Sequence, residues 1–263
     1  MKKFLIILFT LIYANYLVAQ NVVMNIDFDN SNEITEMLVN AYKDKVNGLE
    51  LSEEYGYNNT KGIRITLQGT DRGSNSFVKV FKLGGTYDEV TLNYRVFFEE
   101  DFQFVKGGKL HGVGPANRVT GGKPLTPEGW SSRIMFSRNN TIRPYIYHQN
   151  KKTKWGTGGA VKEHFLELGK YHDIAIYTKI NSPADQHNGV VEIWCNGERL
   201  FRQDDLQLRT VDTPASKIQA FLFSLFYGGH TSDWAPRNPD GSYAKCHLRF
   251  DDFTIYEGYY IRK

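Results

Sequence analysis

Residues 130–147, WSSRIMFSRNNTIRPYIY, read as two short strands on either side of a turn. Apolar and polar residues alternate on both arms, the period-two pattern of a strand with two unlike faces. One alternating set holds Ser131, Arg133 and Met135 on the first arm and Tyr145 and Tyr147 on the second. Residues directly opposite in an antiparallel pair share a face. A two-residue loop at Asn139-Asn140 pairs Arg133 with Ile146 and sends the tyrosines to the other side. A three-residue loop, Asn139-Asn140-Thr141, pairs Arg133 with Tyr147 and Met135 with Tyr145. Such loops commonly end in a left-handed residue, which Asn tolerates better than Thr, so the turn stays open between these forms. Only an odd loop gathers a serine, a guanidinium and two phenols on one surface.

The same strand grammar runs through the chain. GIRITLQG, SFVKVFKL, EVTLNYRVFF, YHDIAIYTKI, VVEIWCNGERLF, IQAFLFSLFYGG and CHLRFDDFTIYEGYYI are rich in β-branched and aromatic residues. Each is bounded by Gly, Asn, Asp or Pro, the residues that turn a chain. Asn196-Gly197 is the strongest hairpin signal, since a type I′ turn needs positive φ at both central positions. One helix is expected at SNEITEMLVNAYKD (31–44), capped by Ser31 or Asn32. No fixed-period repeat is visible. Many short strands without alternating helices predict a single all-β domain over 20–263, a two-sheet β-sandwich or jelly roll with a concave groove. The proline- and glycine-rich stretch 112–129 is expected to be a loop beside the basic strand ends.

Lys2 and Lys3 followed by the apolar run Phe4–Tyr13 and small residues near Ala19 read as a signal peptide over 1–19. The run is short for a bilayer span. The expected protein is therefore secreted or periplasmic, not membrane-bound, and monomeric. Cys195 and Cys246 both fall in expected strands, and export permits a disulfide, with two buried thiols as the alternative. Charge is uneven. Residues 104–155 hold ten Lys and Arg against the single acid Glu128, a local charge of +9 in a chain of net charge +3. A concentrated positive field draws in polyanions. For an exported protein the expected partner is an acidic polysaccharide, not nucleic acid.

YRVFFEEDFQFVKGGKLHGVG, then SSRIMF, then YIY, with FYGGHTSDWAP and RFDDFTIY further on, resemble family 14 of the polysaccharide lyases, the alginate-lyase type, with glucuronan lyases as the next resemblance. The similarity runs from about Tyr94 to Tyr256. It implies a β-jelly roll and β-elimination on polyuronates, with Lys109, Ser131, Arg133, Tyr145 and Tyr147 at the active-site positions. The family commonly carries Pro after KL, where His111 stands here, a change expected to fall beside the site.

The residues suit that chemistry on their own terms. Elimination from a 4-linked uronate needs a cation on the C6 carboxylate, a base for the C5 proton and an acid for the departing O4. Arg133 can grip a carboxylate with two parallel hydrogen bonds. Tyr147 is favoured as base or acid with Lys109 as its partner, and Tyr145 can take either role; burial and neighbouring charge would tune all three. Ser131 would orient the sugar. Lys106 is the alternative to Lys109, and His111 and His230 are candidate substrate contacts. Trp155 and Trp234 can stack on sugars or pack in the core. No histidine spacing reads as a metal site and no cofactor is expected, apart from a weak structural calcium signal at Asp251-Asp252. Two other functions compete. A carbohydrate-binding module would use the aromatics and basic residues without needing this Lys, Arg and Tyr set. A glycoside hydrolase needs two carboxylates flanking the bond, and the region 104–155 is nearly free of acids.

Overall fold

The computed structural model describes residues 20–30, 35–36, 38–40 and 48–262. The expected signal peptide and the caps Ser31 and Asn32 lie outside the described residues, whereas 35–36 and 38–40 are helical. Fourteen strands follow in chain order among the described residues: β1 Val22–Ile26, β2 Leu49–Ser52, β3 Gly62–Thr70, β4 Gly73–Ser74, β5 Phe77–Tyr87, β6 Glu89–Phe98, β7 Gly108–Gly114, β8 Ser131–Ser137, β9 Thr141–Tyr147, β10 Tyr171–Lys179, β11 Gly189–Cys195, β12 Glu198–Leu206, β13 Ile218–Tyr227 and β14 Lys245–Glu257. They form two antiparallel sheets. One runs β12-β11-β10-β6-β14-β3-β2, with β1 added to β14 and β4 to β3; the other runs β5-β13-β7-β8-β9. This is the expected sandwich of the jelly-roll type. No helix among the described residues is long and apolar enough to cross a membrane.

The sheets meet through alternate side chains. Val90, Leu92, Tyr94, Val96 and Phe98 of β6 face inward, as do Phe221, Phe223 and Leu225 of β13 and Ile134 and Phe136 of β8, all fully buried. A polar link crosses this core, where Thr178 Oγ1 on β10 donates to Ser132 Oγ on β8 at 3.0 Å. The β11–β12 hairpin turns at Asn196 and Gly197 with φ of 50° and 77°, as the Asn-Gly pair predicts. Cys195 and Cys246 are free thiols, buried on β11 and β14. Two strands, β10 and β6, stand between those two. Three strand spacings come to about 14 Å, beyond the roughly 7 Å limit for disulfide Cα atoms. The Asp251-Asp252 pair is occupied by protein groups. Asp251 accepts from Tyr57 N at 2.8 Å and Thr60 Oγ1 at 2.9 Å, and Asp252 pairs with Arg95.

Two expectations need correction around β7. The loop begins at residue 115, because 112–114 pair in β7. His111 is not beside a groove; it is fully buried. Between Lys109 and Gly112, β7 carries one more residue than β8 opposite it. That bulge turns both Leu110 and His111 toward the core. The imidazole sits among Tyr94, Phe223, Phe250 and Phe253 with ring centroids 4.4–5.0 Å away. Its Nδ1 accepts from Ser224 N at 3.2 Å, and its Nε2 has no partner. Burial holds this imidazole well below the ordinary histidine range.

A histidine neutral in the folded state and free to protonate when unfolded contributes stability above its unfolded value, about 6.5, and loses it as pH falls below that value. Urea unfolding at pH 7 and pH 5 is expected to show wild type losing about 2 kcal/mol more than His111→Gln, which keeps an acceptor for Ser224 N. Equal losses would mean that His111 protonates in place.

Candidate active site

The outward face of the five-stranded sheet carries the site. In the β8–β9 hairpin Ser131 lies opposite Tyr147, Arg133 opposite Tyr145 and Met135 opposite Arg143. The loop is three residues, as an odd loop requires, but it is Arg138-Asn139-Asn140, one position earlier than the sequence reading placed it. Asn139 and Asn140 take φ of 62° and 53°. Setting the loop back by one residue puts an asparagine, not Thr141, at its left-handed end, and Thr141 pairs in the strand instead. The register moves by two, so the shared face survives. β7 joins this hairpin with Lys109 opposite Met135 and Gly112 opposite Arg133. Only glycine fits at 112, where a Cβ would stand 2.0 Å from Ser132 O.

A cavity of about 550 Å³ opens over this face. Its floor is Lys109, Arg133, Met135, Arg143 and Tyr145, with Ser224 and Phe226 from β13; Trp155, His230 and Trp234 form its walls. No Asp or Glu lines it. Three cations therefore face the cavity, and none has a carboxylate within 4.0 Å among the described residues. Lys109 is 8% exposed and Arg133 5%. Lys109 Nζ donates to the thioether Sδ of Met135 at 3.3 Å and stands 3.9 Å from the Tyr145 ring centroid. Arg133 Nε is buried with no hydrogen-bond partner, and its guanidinium carbon is 5.4 Å from the same ring.

Burial of charge sets the protonation states. Loss of water, together with the Arg133 and Arg143 charges, lowers Lys109 from 10.5 to about 7. Burial brings Arg133 down to about 10, with Tyr145 and Tyr147 opposing the shift. Burial and the hydrogen-bonded Tyr147 phenol push Tyr145 up to about 12. The floor thus holds an amine that sheds its proton near neutrality beside a phenol that keeps its own. Opposed shifts in neighbouring groups are the pattern of an acid and base pair.

The remaining candidates separate from this floor. Tyr147 shares the face but is fully buried, and its hydroxyl accepts from Gly122 N at 2.8 Å. Ser131 is also fully buried and donates to Val119 O at 2.9 Å. These two side chains fasten the 115–130 loop onto the sheet. Gly156 allows the next segment to lie against both tyrosines, since a Cβ there would stand 3.0 Å from their rings. Lys106 sits outside the cavity, paired with Asp233 beside Trp234. His230 lines the wall, 6.2 Å from Trp155. Sequence reasoning did not single out Met135, Arg143, Ser224 or Phe226 as site groups. Arg143 and Met135 are legible once the hairpin register is fixed, because they are opposite each other on the site face. Ser224 and Phe226 come from a strand 90 residues away and carry no local signal.

A buried cationic floor, a proton-bearing phenol and a half-neutral amine in a sugar-sized groove define a carbohydrate-processing site that acts without paired carboxylates. The family model described as Polysaccharide lyase 14 matches residues 55–246. The chain belongs to that family, and it is a polysaccharide lyase. Solved structures agree on the fold. The marine PL-14 alginate lyase of Aplysia kurodai aligns with TM-score 0.69 at 18% identity, over 90% of this chain and 100% of that one. A double mutant of alginate lyase Aly36B in complex with an alginate tetrasaccharide aligns with TM-score 0.68 at 18% identity, over 91% and 98%. An endo-β-1,4-glucuronan lyase of the fungus Trichoderma reesei aligns with TM-score 0.54 at 15% identity, over 81% and 89%. No curated protein matches the chain.

An unpaired buried lysine costs stability. With a folded value near 7, that cost is full below pH 7 and shrinks as pH rises toward the unfolded value of about 10.4. Lys109→Met is expected to stabilise the protein by about 1–3 kcal/mol at pH 6, with a smaller gain at pH 9. Denaturant unfolding at both pH values checks this.

Proposed function

We propose that this protein is an exported lyase that cleaves alginate within its mannuronate blocks by β-elimination. The observation that carries this reading is the cluster of Lys109, Arg133 and Arg143, which face one cavity with no carboxylate among the described residues to balance them. A uronate supplies the missing anion at every sugar. Arg133, with Arg143 beside it, takes the C6 carboxylate and stabilises the charge that spreads onto it as C5 loses its proton. Neutral Lys109 Nζ removes that C5 proton. The C4–O4 bond breaks, the C4=C5 double bond forms, and the Tyr145 hydroxyl gives its proton to the departing O4. Lys109 then gives the proton up to solvent and the Tyr145 phenolate takes one back, which resets the pair.

The placement of acid and base favours one stereochemistry. Lys109 and Tyr145 stand side by side, so they serve a sugar whose C5 hydrogen and O4 leave from the same side. Mannuronate and glucuronate meet that condition; guluronate, with both groups axial and opposed, does not. Two structural neighbours are an alginate lyase and a glucuronan lyase, both named for acidic polymers. Export rests on the signal peptide read at 1–19. Glycoside hydrolysis is disfavoured because the acids Glu99 and Asp101 are committed elsewhere, Glu99 to Arg64 and Arg249 and Asp101 to His247.

Ultraviolet absorbance of the unsaturated uronate tests the reading on polymannuronate, polyguluronate and glucuronan. Absorbance is expected to rise on polymannuronate, more weakly on glucuronan, and least on polyguluronate. Tyr145→Phe should lower kcat by about 10²–10⁴-fold. Tyr147→Phe, which only frees the 115–130 loop from its anchor, should cost less than about tenfold. Plotted against pH, kcat/KM should climb through about 7 as Lys109 loses its proton. Retention of polymannuronate on immobilised protein with no absorbance would overturn the lyase reading in favour of a binding module.

A further inference from the structure

At one end of β10 and β11 in the larger sheet, away from the cavity, three potential metal ligands converge. One ring nitrogen each of His164 and His172 and the Sγ of Cys195 lie within 4.8 Å of one another. His172 is 3% exposed and Cys195 is fully buried. They come from the adjacent strands β10 and β11, so the sheet fixes their spacing. His164 comes from the connection between β9 and β10. Its Nε2 is buried and has no hydrogen-bond partner. A buried ring nitrogen left unpaired is unusual, because buried polar atoms are nearly always satisfied.

The surroundings of His172 resemble those of a ligand histidine. Its Nε2 lies 3.0 Å from the Glu167 carbonyl, which accepts a hydrogen bond and so places the ring proton on that nitrogen. Nδ1 is left with its lone pair free to coordinate. A backbone carbonyl on the second ring nitrogen is the usual way a metal-binding histidine is oriented. At present Asn196 Nδ2 approaches Nδ1 at 3.2 Å. A metal would displace that amide, whose Oδ1 stays anchored on Asp173 N at 2.9 Å.

We infer that His164, His172 and Cys195 form a zinc-binding site that clamps the β9–β10 connection to the sheet. Two imidazoles and a thiolate suit a borderline-soft divalent ion, with water in the fourth tetrahedral position. Bonds of about 2.0–2.3 Å to N and S put tetrahedral ligands about 3.3–3.7 Å apart. With the three atoms already within 4.8 Å of one another, the cluster closes by at most about 1.5 Å on binding. Cys195 loses its proton as the Zn–S bond forms, and the proton passes to solvent. The far end of the same connection brings Trp155 and Gly156 to the cavity, so the clamp would steady a wall of the groove without touching its floor.

The test uses purified, chelator-treated protein with Zn²⁺, and Co²⁺ as a spectroscopic stand-in. One ion per chain is expected, with a thiolate-to-cobalt charge-transfer band and a higher unfolding temperature on zinc addition. Cys195→Ser should abolish the band, and His164→Ala, on the half-exposed connection, should weaken zinc binding by about tenfold or more. Cys246→Ser should change neither. Both His164→Ala and wild type should keep the same kcat on polymer at low temperature. Absence of the band in wild type overturns the site. So does zinc binding that survives His164→Ala but is lost in Asp101→Asn, which would assign the ion to Glu99, Asp101 and His247.

Discussion

One extra residue in β7 decides what the two faces of the smaller sheet become. In a regular strand Lys109 and His111 would point the same way. The bulge between Lys109 and Gly112 sends the lysine to the cavity and the imidazole into the aromatic core. With His111 inside, the rings of Tyr94, Phe223, Phe250 and Phe253 close around it, giving β7 a rigid underside. With Lys109 outside, the amine lies on a floor where Met135 and Tyr145 are its neighbours and water is scarce. The lowered proton affinity of Lys109 follows from that placement, since desolvation is its largest cause.

The floor conflicts with the rest of the fold in a way typical of sites. Several other buried or half-buried charges are paired, as Glu99 is with Arg64 and Arg249 and Arg209 with Asp212. At Lys109 and Arg133 no carboxylate partner stands among the described residues. Uncompensated charge destabilises the free protein and is relieved when a polyanion arrives. The supports are correspondingly firm. Ser131 and Tyr147 spend their polar groups on the 115–130 loop, which leaves Tyr145 as the phenol that lines the cavity.

Much of this was legible in the sequence. The alternation in 130–147 gave the shared face of Ser131, Arg133, Tyr145 and Tyr147, because period and loop parity are local properties. The acid-poor stretch 104–155 supplies Lys109, Arg133 and Arg143, the cations that line the cavity. What stayed hidden depends on contacts between distant strands. A bulge has no sequence signature of its own here, so His111 read as a site neighbour, not a core residue. Nor does alternation tell a phenol in a cavity from one roofed by a loop, so Tyr147 read as the stronger catalytic candidate. Lys106 looked equivalent to Lys109 until Asp233, over a hundred residues away, was seen to claim it. The strands β1, β2, β4 and β7 were missed because they are short or glycine-rich.

The central claim is that the fold itself prepares Lys109 as a base before any substrate binds. Nuclear magnetic resonance titration of the lysine side chains in the free protein tests it directly. One lysine is predicted to lose its proton near pH 7, and its signal should vanish in Lys109→Met. If every lysine titrates above about 9, within the ordinary range for that side chain, then Lys109 stays charged in the resting protein and the assignment of base and acid is wrong.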